Sequence, residues 1–370
     1  MIKHDQQGRA GLQFLGSLQH FSSSELLRIA EQDFATSNQS DVITKAFRKN
    51  ESREDLEGNL QLAKDIALTS NAYRFNRLYQ RYVAEENWVK AISATERNRT
   101  IFETMFKPSQ NKPAVPSDAS TRLILDPTLL QPEYNQNVEW HLQPGGIGMD
   151  GYDLLGPVAL GVVHHVFKRG GFAAVAVDDD IAQQRREVIG QFKKPSYKRI
   201  YDLGCGGAGT LGFIHQAFPK ATLVGGDLNE GVLRSGHRAS EAQGLDILFR
   251  QEDACKVSDP DGSYDGVISY AVHHELPEAV SRKVINEMFR ILEPGGDMVI
   301  SDPPPFRAVS PLQAVLLDWE TENRAEPYFT QAGFVNLAEL MREAGFVNVE
   351  EYGLQKNSNY PWVTRGQKPQ

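Results

Sequence analysis

The strongest constraint on the fold of this chain lies in its C-terminal half. From Arg199 onward, short β-rich runs alternate with helical segments. The runs are Arg199–Leu203, 222–226, Ile247–Gln251, 266–270 and 298–301, with helices between them such as 278–292. Strand-helix alternation of this kind requires crossover connections, and these build a parallel sheet covered by helices on both faces. The last two runs, 347–354 and Trp362–Gln367, are close enough in sequence to pair as a hairpin.

The first junction reads Arg199-Ile200-Tyr201-Asp202-Leu203-Gly204-Cys205-Gly206-Gly207-Ala208-Gly209-Thr210. Its glycines allow a tight turn and a close approach of backbone to a ligand. Gly204-x-Gly206-x-x-Gly209 also fits a dinucleotide fingerprint, with Asp227 at a suitable distance for a ribose-binding acid. Four features point elsewhere. Asp202 stands just before the loop, where it repels a pyrophosphate and attracts an ammonium group. Asp227 ends the second strand, where a carboxylate can accept from both ribose hydroxyls. Glu252-Asp253-Ala254 follows the third strand, where an acid can accept from an adenine amine. Arg290-Ile291-Leu292-Glu293-Pro294-Gly295-Gly296 breaks a helix and returns the chain to the sheet before the fifth strand.

This ordered set resembles the class I S-adenosylmethionine-dependent methyltransferases, strongly over residues 199–302 and more weakly in the C-terminal hairpin. The resemblance implies an α/β fold: a Rossmann-like seven-stranded sheet with an antiparallel last strand and helices on both faces. It implies S-adenosylmethionine as cofactor, with Asp202 and Gly204 near the methionine moiety, Asp227 on the ribose and Asp253 on the adenine; Gly206, Gly209, Leu228, Ala254 and Tyr270 complete the expected cofactor-binding set.

After that strand comes Ser269-Tyr270-Ala271-Val272-His273-His274-Glu275-Leu276-Pro277. Ligands of open α/β sheets bind outside the carboxyl ends of the strands, so this stretch is expected beside the transferred methyl. Methyl transfer from a sulfonium is an in-line displacement with a neutral leaving group, so no metal is expected; the enzyme aligns the nucleophile and excludes water. A hydroxyl acceptor also needs a base. His273 and His274 are the candidates, with Glu275 orienting the imidazole. His274-Glu275-x-x-Glu278 is not a zincin motif, because the second histidine is absent and Pro277 interrupts the helix. The Gly-rich stretch 139–148 carries Trp140, His141 and Gln143, and Tyr152 follows. By the same resemblance it is expected to form a lid or pocket wall. Trp319, Asn323, Glu326 and Tyr328 follow the fifth strand and are expected to line the acceptor pocket.

The first third reads as helical. Ser22-Ser23-Ser24-Glu25 has the form of a capping box. A longer helical stretch starts near Ser52, breaks near Ser70-Asn71 and continues toward Phe106, with apolar residues at helical spacing. The polar, Pro-rich run 107–117 is a linker. The expected division is therefore a helical region at 1–117, a connecting segment and active-site lid at 118–198, and the cofactor-binding domain at 199–370. The aromatic and aliphatic density of the helical region suggests a homodimer interface, as in small-molecule O-methyltransferases.

Of the 370 residues, 40% are apolar and 24% charged, a soluble globular balance. The formal net charge of -9 disfavours a general nucleic-acid binder. No apolar run approaches the roughly 20 residues that span a bilayer. Residues 1–7 lack the pattern of a signal peptide. Cys205 and Cys255 are the only cysteines, which suggests a reducing, cytoplasmic setting. The expected function is methyl transfer to a small molecule, with a hydroxyl oxygen as the leading acceptor. Transfer to a thioether or thiol, which needs no base, is the alternative, and a non-catalytic cofactor-binding subunit is the alternative of another class.

Overall fold

The computed structural model describes residues 4–48, 52–105, 122–149, 151–168, 181–354 and 359–370. The linker expected at 107–117, and with it the boundary at 117, lies outside them. The chain opens with helices α1 (Gln6–Phe21), α2 (Leu27–Thr36), α3 (Ser40–Arg48), α4 (Arg53–Ala67), α5 (Asn71–Glu96) and α6 (Arg99–Met105). The break before α5 falls where the sequence predicts it, because the Ser70 side chain caps α5 by accepting from the Tyr73 backbone N–H.

The expected capping box at Ser22 is absent. A π-helical turn, Ser22–Leu26, joins α1 to α2, and α1 is capped instead by Asp5. The polar side chains at this turn have partners across the interface with α5. Ser22 Oγ donates to the Asn76 carbonyl at 3.1 Å, Asn76 Nδ2 returns to the Ser22 carbonyl at 2.6 Å, and Gln80 Nε2 reaches Ser23 Oγ at 3.1 Å. Long-range hydrogen bonds thus absorb serines that a local reading assigns to a helix end.

The connecting segment adds strand β1 (Leu123–Ile124), a loop over 133–149 and helix α7 (Leu155–Val162). The cofactor-binding half then runs α8 (Ile181–Ile189), β2 (Arg199–Leu203), α9 (Gly209–Ala217), β3 (Thr222–Asp227), α10 (Glu230–Gln243), β4 (Ile247–Gln251), β5 (Tyr264–Tyr270), α11 (Glu278–Ile291), β6 (Leu292–Asp302), α12 (Pro311–Asn323), α13 (Phe329–Phe334), α14 (Leu337–Glu343), β7 (Val347–Gly353) and β8 (Trp362–Gln367). Sheet order is β1-β4-β3-β2-β5-β6-β8-β7. β8 runs antiparallel between β6 and β7, and the other described pairings are parallel. The sheet therefore has eight strands where seven were expected. The extra one is β1, too short to show a periodic pattern, which pairs with β4 at one edge.

Adjacent residues of β2 point to opposite faces. Ile200 packs with Leu211, Ile214 and Val299 on one side, and Tyr201 packs with Val284, Ile285 and Met288 on the other. Burial on both faces is why the central strands read as continuous apolar runs. Chain order reverses between β2 and β5, so a crevice opens outside their carboxyl ends.

The helical region does not stand apart from this sheet. Leu56, Leu60 and Ala63 of α4 share a core with Phe306, Leu312, Val315 and Leu316 at and before α12. Lys64 pairs with Asp318 at 2.5 Å, and Arg77 of α5 lies over the Trp319 ring at 4.7 Å. No helix among the described residues is long and apolar enough to cross a membrane.

Candidate active site

A cavity of about 300 Å³ occupies the crevice at the carboxyl ends of β2, β3 and β5. Its floor is the Gly-rich turn. Gly204 and Gly206 have φ of +61° and +51°, conformations that L side chains rarely adopt. A Cβ on Gly204 would lie 2.6 Å from Val272, whereas a Cβ on Gly206 would meet no protein atom. Gly206 therefore faces the space a ligand would take. Its N–H donates to Asp227 Oδ2 at 3.0 Å, and Asp227 Oδ1 accepts from the Asn229 N–H at 2.8 Å. Burial raises the Asp227 carboxyl to about 6, against the pull of these donors.

Asp202 lies beneath the turn, only 1% exposed, and its Oδ2 has no hydrogen-bond partner. Burial pushes this carboxyl up to about 8, despite the nearby Arg185 guanidinium. Arg185, on α8, lines the cavity and lies over the Tyr270 ring at 5.2 Å. An acid and a guanidinium at the same end suit a zwitterion, as the methionine end of S-adenosylmethionine is. The buried unpartnered oxygen, the open space above Gly206 and the Asp227 carboxylate all fit that cofactor.

Of the sequence-predicted cofactor residues, Gly204, Gly206, Gly209, Asp227, Leu228, Ala254 and Tyr270 line the cavity. Asp253 does not. Its Oδ1 accepts from the Cys255 N–H at 2.8 Å, closing a local turn. The acid facing the cavity there is Glu252, held by the Tyr201 and Ser258 hydroxyls.

The histidine pair also departs from expectation. His273 and His274 lie behind the cavity wall and line a separate small cavity with Asp302, Pro303, Phe306 and Phe329. Burial drives the His273 imidazole down to about 4, and its Nδ1 lies 3.2 Å from Ser281 Oγ. His274 Nδ1 sits 2.7 Å from Asp302 Oδ1. Burial opposes charge on His274, but Asp302 and then Glu326 and Glu275 outweigh it and raise the ring to about 9. Neither ring is a neutral base in contact with the main cavity.

Glu275 does line the cavity, and so does His141. His141 comes from the loop over 133–149, which crosses the carboxyl end of the sheet. His141 Nε2 lies 3.2 Å from Glu275 Oε1 and His141 Nδ1 lies 2.7 Å from Glu326 Oε1. Burial penalises the His141 cation, yet Glu326 and Glu275 prevail and raise it well above the ordinary imidazole range. Trp140 lines the cavity beside it, its Nε1 donating to Asn135 Oδ1 at 2.9 Å.

The remaining predicted pocket residues have other partners. Gln143 folds back onto the Gly146 and Ile147 carbonyls and shapes the loop. The Tyr152 hydroxyl donates to Glu96 at 2.6 Å. Trp319 stacks on Arg77, and Asn323 donates back to the Trp319 carbonyl, because this face of α12 packs on the helical region. Tyr328 stands one layer out, its ring against Trp140 and Tyr134. Sequence reasoning missed Arg185, Tyr134 and Glu252 as cavity residues. Glu252 adjoined the predicted Asp253; the other two lie outside the motif-bearing stretches.

A mostly parallel sheet with this strand order, a Gly-rich first turn and acids after successive strands defines the class I S-adenosylmethionine-dependent methyltransferase fold. Residues 200–296 match the family described as "Methyltransferase domain", and S-adenosylmethionine is the cofactor of that domain. The chain is 32% identical over 122 residues to a demethylmenaquinone methyltransferase of Thermus thermophilus, covering 33% of this chain and 54% of that protein. It is 27% identical over 181 residues to a ubiquinone/menaquinone biosynthesis C-methyltransferase of Desulfotalea psychrophila, covering 45% and 72%. It is 30% identical over 121 residues to a fatty-acid O-methyltransferase of Mycolicibacterium smegmatis, covering 33% and 43%. The chain thus spans about half the length of the first of these relatives. The relatives' names include both carbon and oxygen as methyl acceptors.

Proposed function

We propose that this chain transfers the methyl group of S-adenosylmethionine to a hydroxyl oxygen of a small-molecule acceptor. The observation that carries the reading is the hydrogen-bonded pair His141 and Glu275 in the cavity wall. In the reaction the S–CH₃ bond breaks as the O–CH₃ bond forms, and S-adenosylhomocysteine leaves neutral. The acceptor's proton passes to the Glu275 carboxylate, and the His141 imidazolium, bonded to Glu275 on one side and Glu326 on the other, orients it. Asp202 and Arg185 hold the ammonium and carboxylate of the methionine end, and Asp227 accepts from the ribose hydroxyls. The loop over 133–149 excludes water, and Trp140 and Tyr134 give the acceptor an apolar wall.

The test is turnover with labelled S-adenosylmethionine against a panel of phenols, carboxylic acids and thioethers, with methylated products read by mass spectrometry. Glu275→Gln and His141→Ala should each lower kcat for a hydroxyl acceptor by about 10²–10⁴-fold, the usual worth of a positioned proton acceptor. Their affinity for S-adenosylhomocysteine should stay close to that of the unmodified chain. The second reading is transfer to sulfur, favoured by the aromatic wall of Tyr134 and Trp140, which suits a cationic product. Methylated thioether formed at full rate by both variants would establish that reading and reject the first. Cofactor binding without any labelled product across the panel would point to a non-catalytic subunit.

A further inference from the structure

Three segments of the chain bring four metal-capable side chains together at and behind one wall of the cavity. His141 comes from the crossing loop, His274 and Glu275 from the turn after β5, and Glu326 from the turn between α12 and α13. Ligand atoms of His141, Glu275 and Glu326 all lie within 4.8 Å of one another. His274 Nε2 lies 3.7 Å from Glu326 Oε2 and 4.0 Å from Glu275 Oε1. Ligand atoms held at about 2.0–2.2 Å from one ion stand roughly 3–3.5 Å apart, so a modest contraction would bring these atoms onto a common centre.

Two further observations point to a ligand. Glu326 is only 3% exposed, and its Oε2 has no hydrogen-bond partner. A buried carboxylate oxygen without a hydrogen bond is costly, and the imidazole facing it, His274 Nε2, stands off at 3.7 Å. Asp302 Oδ1 holds His274 Nδ1 at 2.7 Å, which turns Nε2 toward the two glutamates. A carboxylate on the far nitrogen is the usual way a metal-binding imidazole is oriented.

We propose that His141, His274, Glu275 and Glu326 form a binding site for a divalent transition-metal ion. Two imidazoles and two carboxylates suit zinc, manganese, iron(II) or cobalt(II) better than calcium or magnesium, which prefer oxygen ligands throughout. Two carboxylates balance the ion's charge in a poorly solvated place. The site borders the cavity through His141 and Glu275, so a further coordination position would face the acceptor. The expectation of no metal rested on the neutral leaving group of methyl transfer, and the zincin reading was set aside on the local His274-Glu275-x-x-Glu278 spacing; the ligands here come from segments far apart in sequence.

Cobalt(II) is the probe, because its visible absorption reports coordination. The full-length protein is treated with chelator, desalted and titrated with Co²⁺ alone, without cofactor or acceptor, so the result is separable from the methyl-transfer reading. One Co²⁺ per chain by elemental analysis, with ligand-field bands, is expected. His141→Ala and Glu326→Gln should abolish the bands, and Asp302→Asn should weaken binding by about 10–100-fold, as loss of an orienting carboxylate does. Circular dichroism checks that each variant is folded, and His141→Ala, on a surface loop, serves if a buried substitution unfolds the chain. No uptake, or uptake unchanged in folded His141→Ala, overturns the site and leaves the cluster as an ion-pair network.

Discussion

Asp202 shows how one side chain couples the cofactor to solution acidity. Its carboxyl is buried and sits at about 8, with Arg185 and Asp227 as the charged groups nearest it. Near pH 7 the ligand-free carboxyl therefore carries a proton, and the ammonium of the cofactor favours the ionised form. Binding must expel that proton. The sign follows: affinity weakens as pH falls below about 8, by at most roughly tenfold per unit, since one unit is about 1.4 kcal/mol. Calorimetry of S-adenosylhomocysteine binding between pH 6 and 8 should show this slope, accompanied by proton release. Asp202→Asn should flatten it and bind more weakly at pH 8. An unchanged slope in a folded Asp202→Asn variant would remove Asp202 from the methionine end.

At the scale of elements, the loop over 133–149 is the least relaxed part of the site. His141 and Leu142 have φ of +57° and +58°, and each such non-glycine residue costs on the order of 1–3 kcal/mol. External contacts hold the conformation: Trp88 of α5 donates its Nε1–H to the His141 carbonyl at 3.0 Å, and the two glutamates grip the ring. Trp88→Phe removes that donor, worth about 1 kcal/mol. Hydrogen exchange across 138–146 should then accelerate several-fold, while the amides of β2 and β5 keep their protection. Equal acceleration in the strands would show that Trp88 supports the whole fold rather than the loop.

The elements also show what was legible in the sequence. Strands β2 to β8 and the break at Ser70 are readable, because buried parallel strands and helix caps leave local patterns. The Gly204–Gly209 turn and Asp227 are readable because backbone geometry restricts which residues can stand there. The role of the histidine pair is not. His274 belongs after β5, as expected, but which way its ring faces depends on Asp302 and Glu326, distant in sequence. Trp319 looked like a pocket residue until Arg77, on another helix, claimed its ring.

Across the whole molecule, the helical region has two unlike faces. One is sealed against α12 in a common core. On the other, Phe14, Phe21, Phe75, Leu78 and Tyr82 remain 60%, 45%, 53%, 58% and 42% exposed. Phe75, Leu78 and Tyr82 recur at helical spacing on α5, and the rings of Phe21, Tyr79 and Phe75 adjoin one another. Clustered apolar exposure of this kind marks an interaction surface, and a second copy of the chain, joined isologously, is the proposed partner. Light scattering at micromolar concentration should give twice the chain mass, and Phe75→Asp with Leu78→Asp should return the monomer. A monomeric unmodified chain at that concentration would rule the dimer out.

The position of β8 sets the order in which the sheet can be completed. β7 is synthesised before β8, yet its partner in the sheet is β8, which wedges between it and β6. Until β8 arrives, β6 presents an open edge and β7 has no place to dock. A chain emerging from the ribosome would therefore carry an unfinished sheet past the synthesis of β7, with its apolar edge available to other nascent chains. The hairpin closes that edge only when β8 has entered between β6 and β7.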